Sequence, residues 1–239
     1  MTRGRGWLLV LGVVTAVACS LPSADEFAHG QTEPVDDPVE ASALVDGAFA
    51  VETGTPPATT GVSLSIDPPV VDRGDAIELG GDGMLDWAYW SPALIRCAAC
   101  TTRIGAASST EMLKTYGDDA RSFVWTGGAP TASGTSHGGI YIEEIASTIE
   151  LPVQLPDTGV VLVVHVGIFN AAGRFDVGID GVDAGVAPSV SVPSGTNGYR
   201  VVIHAKAPGD VLRLSWTLTG RATAVDANVT LSTVTLSPE

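Results

Sequence analysis

From residue 61 to residue 239 the apolar side chains recur at every second position. Val62, Leu64 and Ile66 alternate with Gly61, Ser63 and Ser65 until Pro68-Pro69 stops the run. Phe175, Val177 and Ile179 alternate with Arg174, Asp176 and Gly178; Tyr199, Val201 and Ile203 alternate with Arg200, Val202 and His204. Leu212, Leu214, Trp216 and Leu218 alternate with Arg213, Ser215 and Thr217. A period of two sends successive side chains to opposite faces of a strand, so each run has one face to bury. The closing run, Asn228 to Leu236, changes phase between Leu231 and Val234, as one extra residue in a β-bulge would make it do. Val160 to Phe169 is apolar on both faces, which predicts a central strand whose outer face is covered by a loop or by residues 110–116.

Turn signals punctuate these runs: Gly80-Gly81-Asp82-Gly83, Gly127-Gly128, Gly138-Gly139, Pro156 to Gly159, Gly195 to Gly198 and Pro208-Gly209-Asp210. The pattern predicts about ten short strands, with Thr110 to Tyr116 as the one helical stretch. Evenly spaced strands with Gly/Pro turns give an all-β fold, a single jelly-roll-like β-sandwich over residues 61–239. One core suffices at that length, and no internal repeat is present.

The first 60 residues follow another pattern. Arg3 and Arg5 precede an apolar run, Trp7 to Val17, of the length of a signal-peptide core and too short to span a bilayer. It ends Ala16-Val17-Ala18-Cys19, which predicts a signal peptide over 1–18 and a lipidated Cys19; the alternative is ordinary secretion after Ala18. Residues 20–60 hold eight acids, five prolines and no Lys or Arg. Such a segment buries too little surface to offset its chain entropy, so 19–60 is expected to be a disordered acidic tether. The expected location is extracytoplasmic, with the membrane as partner through the N-terminal lipid.

Charge narrows the partners. The chain carries 12 Lys+Arg against 27 Asp+Glu, and loss of Arg3 and Arg5 leaves a net charge near −17. That balance excludes nucleic acid and anionic lipid as electrostatic partners. With Cys19 lipidated, the two remaining cysteines, Cys97 and Cys100, are expected to pair as a disulfide outside the cytoplasm. A zinc site needs four ligands, and a lone Cys-x-x-Cys supplies two.

Asp86-Trp87-Ala88-Tyr89-Trp90, Trp125-Thr126-Gly127-Gly128-Ala129-Pro130-Thr131, Leu162 to Gly167 and Asn228-Val229-Thr230-Leu231 occur in that order. This series resembles a β-sandwich module of many bacterial extracellular proteins, marked by D-W-A-x-W and W-T-x-G-x-P-T motifs, over roughly residues 62–238. Here Tyr89 and Ser91 stand where the module usually has His and Gly. The resemblance implies a fold and a compartment; the module accompanies surface and carbohydrate-active proteins and has no settled activity of its own.

Sugar rings stack their C–H faces on aromatic planes, which directs attention to Trp87, Tyr89, Trp90, Trp125 and Tyr141. Trp87 and Trp125 are expected in the core. Tyr89 is expected to be exposed, and with Trp90 and Asp86 makes up the candidate ligand-binding set. His165 is expected to be a hydrogen-bonded subsurface histidine. Gly134-Thr135-Ser136-His137-Gly138 matches G-x-S-x-G but lies in a predicted loop rather than a strand-to-helix elbow. The acid pairs Asp118-Asp119 and Glu143-Glu144, and Asp180 with Asp183, imply no facing carboxylates or calcium-loop spacing. The expected function is therefore a non-enzymatic surface module, without cofactor or metal, binding a glycan or an envelope protein; a divergent hydrolase is the remaining alternative.

Overall fold

A computed structural model describes residues 61–74, 76–180, 189–222 and 226–239. The expected signal peptide, Cys19 and tether lie outside the described residues, as do Gly181 to Asp183. The strands are β1 Ser63–Ile66, β2 Val70–Asp72, β3 Ala76–Leu79, β4 Asp86–Ser91, β5 Ala93–Cys97, β6 Ser108–Ser109, β7 Lys114–Tyr116 and β8 Ser122–Thr126. They continue as β9 Gly128–Ala129, β10 Ser133–Ser136, β11 Gly139–Ile142, β12 Thr148–Gln154, β13 Val160–Ile179, β14 Ser189–Lys206, β15 Val211–Arg221 and β16 Asn228–Pro238. The fold is all-β and a β-sandwich, with no helix among the described residues.

The long hairpin β13–β14 organises it. Its first half pairs β13 with β16 from Val160 to Phe169, and its second half pairs β13 with β15 from Ala171 to Ile179. Register shifts between Ile168 and Gly173 separate the two halves. One hairpin thus serves both layers, and β12 extends the β15 side while β4 and β5 extend the β16 side. Bulges bend a strand and strengthen its twist, which is how a single strand turns such a corner. The alternation seen in the sequence then fills the space between layers. Leu162, Val164, Val166, Phe175, Val177, Leu214, Trp216 and Leu231 all join one apolar core. Each such aliphatic side chain contributes about 1.5–3 kcal/mol on burial.

Four expectations are corrected here. Residues 114–116 form strand β7, not part of a helix; their neighbour is β11 and the lone tyrosine is drawn to a polar partner. Gly195 to Gly198 do not turn; they run through β14, where glycine lets two strands and a side chain approach closely. The strands Val160–Phe169 and Phe175–Ile179 are one bent strand. Ser133 to Ser136 form β10 rather than a loop, with Gly134 packed on the Trp125 indole. The phase slip in the closing run is real: His165 pairs with Thr233 and Val166 with Leu231, so Ser232 is the extra residue.

A second, smaller core of Leu79, Trp87, Tyr89, Ile95, Phe123 and Trp125 lies between β4–β5 and a three-stranded sheet, β10-β8-β3. Strand β4 is consequently buried on both faces: Ala88 and Trp90 enter the larger core, Trp87 and Tyr89 the smaller.

Candidate functional site

The aromatic motif is structural. Tyr89 is 0 % exposed, Trp90 5 % and Asp86 2 %, which corrects the expectation that this set faces a ligand. Tyr89 stacks on Trp125 at 5.4 Å, and its hydroxyl accepts from the Gly138 amide at 3.1 Å. Asp86 is committed to backbone: its carboxylate accepts from the amides of Trp87, Arg103 and Ile104 at 2.7–2.9 Å. A carboxylate held by three N–H groups anchors the loop that follows the Cys97–Cys100 disulfide, whose Cα atoms are 5.4 Å apart. Trp125 donates its indole N–H to Thr131 O at 3.1 Å, closing the W-T-x-G-x-P-T turn on itself. These motifs read as exposed platforms only because a strand buried on both faces cannot be told from a half-buried one by composition.

The open surface lies elsewhere, on the face of β13, β14 and β16 opposite the larger core. Register places Tyr141, Thr230, Gly167, Gly198 and Asp72 in one row across β11, β16, β13, β14 and β2. One step along, on the same face, Phe169 pairs with Asn228. The glycine pair at the row's centre leaves room for a side chain to lie flat on the sheet. Arg121 takes that room: a Cβ at Gly198 would stand 2.7 Å from its Cζ.

Arg121 is 1 % exposed and holds its charge without water. Its Nε and Nη2 donate to the two carboxylate oxygens of Asp119 at 2.9 and 2.8 Å, and Nη1 donates to Val166 O at 3.0 Å and Tyr199 O at 3.4 Å. A bidentate pair with the remaining donors on carbonyls is the arrangement in which a buried charge is tolerated. Burial opposes ionisation of both groups, but their mutual attraction wins: the Asp119 carboxyl is held below its usual value and the guanidinium above its own. The cation also lies over the Phe123 ring, 5.6 Å from its centroid.

Two further polar chains attach to this pair. The Tyr116 hydroxyl donates to Asp119 Oδ2 at 2.9 Å and stands 2.9 Å from Ser232 Oγ, which therefore donates to it. Burial, then the neighbouring Asp119 charge, pushes the Tyr116 phenol up. His165 Nδ1 donates to Asp72 Oδ2 at 3.0 Å. Burial, then the Arg121 cation, pushes the imidazole down to about 4, so it is neutral and carries its proton on Nδ1. This is the subsurface histidine the sequence suggested, now with its partner. His137 Nδ1 donates to Arg121 O at 2.8 Å and fixes the segment bearing Asp119 and Arg121 against β10.

Above this polar floor lies a cleft of about 760 Å³, within the roughly 300–1,000 Å³ typical of ligand sites. Tyr116 and Tyr141 meet edge to face at 6.4 Å on one side of it. Phe169, 44 % exposed, lines it from β13. It shares the outer face with Gly167, and the chain bends just after it: Asn170 takes a left-handed φ of 48° and its amide donates to Thr196 Oγ1 at 3.0 Å. Asn197 and Asn228 contribute amides, while Arg73 and Asp118 stand exposed at the margin. Of these residues, Tyr141 was among the aromatics the sequence singled out, and Asp118-Asp119 among the acid pairs. Phe169, Tyr116 and Arg121 were missed; an aromatic closing an apolar run just before Asn was the available signal for the first.

No protein-family model matches the chain, and no curated protein sequence does. Among solved structures the chain is similar to TmCBM61 in complex with β-1,4-galactotriose, at 15 % identity and TM-score 0.33, over 53 % of this chain and 88 % of that one. It is also similar to the carbohydrate-binding module CBM6cm-2 of Cellvibrio mixtus lichenase 5A in complex with cellotriose, at 9 % identity and TM-score 0.32, over 56 % and 97 %. A third is carbohydrate-binding module CBM36 in complex with calcium and xylotriose, at 18 % identity and TM-score 0.29, over 56 % and 100 %.

Proposed function

We propose that this chain is a non-enzymatic, lipid-anchored extracytoplasmic module that binds a glycan in the cleft over β13, β14 and β16. The observation that carries the reading is the exposed Phe169 ring sharing one cleft with Tyr141 above a floor of fully engaged polar groups. A partly exposed ring in a concavity offers an apolar plane, and a sugar's C–H face is suited to a ring flanked by amides and hydroxyls. The acids favour binding over cleavage. Asp72 and Asp119 are committed to His165 and Arg121, leaving Asp118 as the free carboxylate among the described lining residues, whereas glycosidic cleavage takes a facing pair. The anchor rests on Cys19 after its apolar run, and the resemblance to the bacterial extracellular module supports the compartment.

The test is a glycan microarray probed with the full chain, repeated with Phe169→Ala and Tyr141→Ala. Binding by the wild type and loss of at least tenfold in affinity in both variants, with unchanged melting temperature, is the expected result. Binding that survives both substitutions moves the site elsewhere, and no binding to any glycan overturns the reading.

A further inference from the structure

We infer that the ligand of this cleft is an uncharged saccharide, neither a uronate or sulfated glycan nor a cationic amino sugar; the inference rests on the glycan-binding reading above. Five charged side chains among the described residues line the cleft: Asp72, Arg73, Asp118, Asp119 and Arg121. Three of them are already engaged within the fold. Arg121 and Asp119 neutralise each other through two hydrogen bonds, and the other Arg121 nitrogen points at two carbonyls of the sheet. Asp72 keeps its negative charge, because the His165 that donates to its Oδ2 is neutral, but that charge acts on the Arg121 cation from a position only 16 % exposed. The two left over, Arg73 and Asp118, are of opposite sign and both exposed to water.

An anionic ligand is recognised by cations held free of internal partners and aimed at the site, with Arg the usual choice for a carboxylate or sulfate fork. Here the buried arginine of the cleft, Arg121, is already forked onto a carboxylate of its own chain. The single free arginine cannot compensate for a protein carrying a formal charge of −15, whose field repels polyanions before contact. A cationic ligand would need a desolvated carboxylate without a partner. Asp72 and Asp119 are both partnered, and Asp118 is in water, where a single ion pair contributes little. What remains unengaged are side chains that suit hydroxyls and C–H faces: the Asn197 amide, the Tyr141 hydroxyl and the Phe169 ring.

The experiment measures affinity of the full chain by calorimetry for three sets of probes: neutral gluco-, galacto-, xylo- and manno-oligosaccharides; oligogalacturonates; and chitosan oligomers. Each is run at 20 and 300 mM NaCl. At least one neutral probe is expected to bind, with a Kd that changes less than twofold between the two salts. Phe169→Ala is expected to weaken it at least tenfold. Preference for the galacturonate or chitosan probes, or a tenfold change in Kd with salt, overturns the inference while leaving a glycan-binding cleft. Failure of every probe overturns the glycan reading itself and this inference with it.

Discussion

Ser232 Oγ lies 2.9 Å from Tyr116 Oη, across 116 residues of chain, and it does so because Ser232 is the one residue of β16 that the β-ladder to β13 skips. A residue in register would share the alternation of its strand. The bulge places a fully buried hydroxyl beside the phenol, which in turn donates to Asp119. The phase slip visible in the sequence thus ends at a wall of the cleft.

Removing that hydroxyl tests the link. Ser232→Ala leaves the Tyr116 bond to Asp119 intact and withdraws one donor. We expect a loss of about 1 kcal/mol in stability, the ordinary net contribution of a hydrogen bond. Tyr116→Phe severs both links and leaves a buried Asp119 oxygen short of a donor, so its loss should be larger, about 1–3 kcal/mol. Urea unfolding of the two variants checks the order. Equal losses would mean that the serine is the only partner that matters.

The glycine row offers a sharper contrast. Gly198→Ala drives a Cβ to within 2.7 Å of the Arg121 Cζ and 2.8 Å of its Nε, in a site with no slack. Overpacking of this kind costs about 1–3 kcal/mol, and here it also strains a buried ion pair. Gly178 lies in the same strand hairpin, on β13, and an added Cβ there meets nothing within 4 Å. Gly178→Ala should be neutral or stabilising by up to about 1 kcal/mol, because it restricts the unfolded chain. Paired thermal melts decide it; equal behaviour would mean Arg121 moves aside freely.

Tyr89 shows how far the sequence could be read. The period-two runs, the turns and the bulge give the sandwich directly, because side-chain direction in a strand is a matter of counting. Trp87 and Tyr89 on one face of β4 and Trp90 on the other also follow from counting. Which face meets water does not, because that depends on the short sheet β10-β8-β3 folding over the outer side, where β3 and β8 pair across 46 residues of chain. Phe169 was hidden for the converse reason. It belongs to an apolar run that reads as core to its last residue; counting puts it on the Gly167 face but does not show that this face is open there. Arg121 was illegible because its partners, Val166 O and Tyr199 O, are backbone atoms brought together by tertiary structure.

The burial of Tyr89 makes its own prediction. Tyr89→Ala should cost roughly 3–5 kcal/mol, as expected for a large ring removed from a core, and Trp87→Ala a similar amount. Tyr89→Phe keeps the stacking on Phe123 and Trp125 but strips the Gly138 amide of its acceptor, for a loss of about 1–3 kcal/mol. Denaturant melts of the three variants measure this series. A stability within error of wild type for Tyr89→Ala would return that ring to the surface and reopen the motif as a binding site.

His165 should make the domain acid-sensitive, and the direction follows from its surroundings. Its imidazole is buried beside the Arg121 cation and the Phe123 ring, with Asp72 as the anion facing it among the described residues and Arg200 nearby. Burial and the two arginines outweigh the aspartate, so the folded form resists a proton down to about pH 4. The unfolded chain takes that proton near the ordinary histidine value of about 6.5. Between those limits the unfolded state binds more protons than the folded one, so stability is full above about pH 6.5 and falls as the pH is lowered. The loss amounts to roughly 3 kcal/mol by pH 4 if the group acts alone. Asp119 adds a loss of the same sign at lower pH, since its depressed carboxyl must be protonated on unfolding before it is protonated in the fold. His165→Gln keeps a donor for Asp72 but cannot titrate. Urea unfolding at pH 7.0, 6.0, 5.0 and 4.5 should show a steep decline for the wild type and a shallower one for H165Q. Parallel curves would mean that the imidazole gains its proton in the folded state as readily as in water, and that the Arg121 cation is better screened from it than the packing implies.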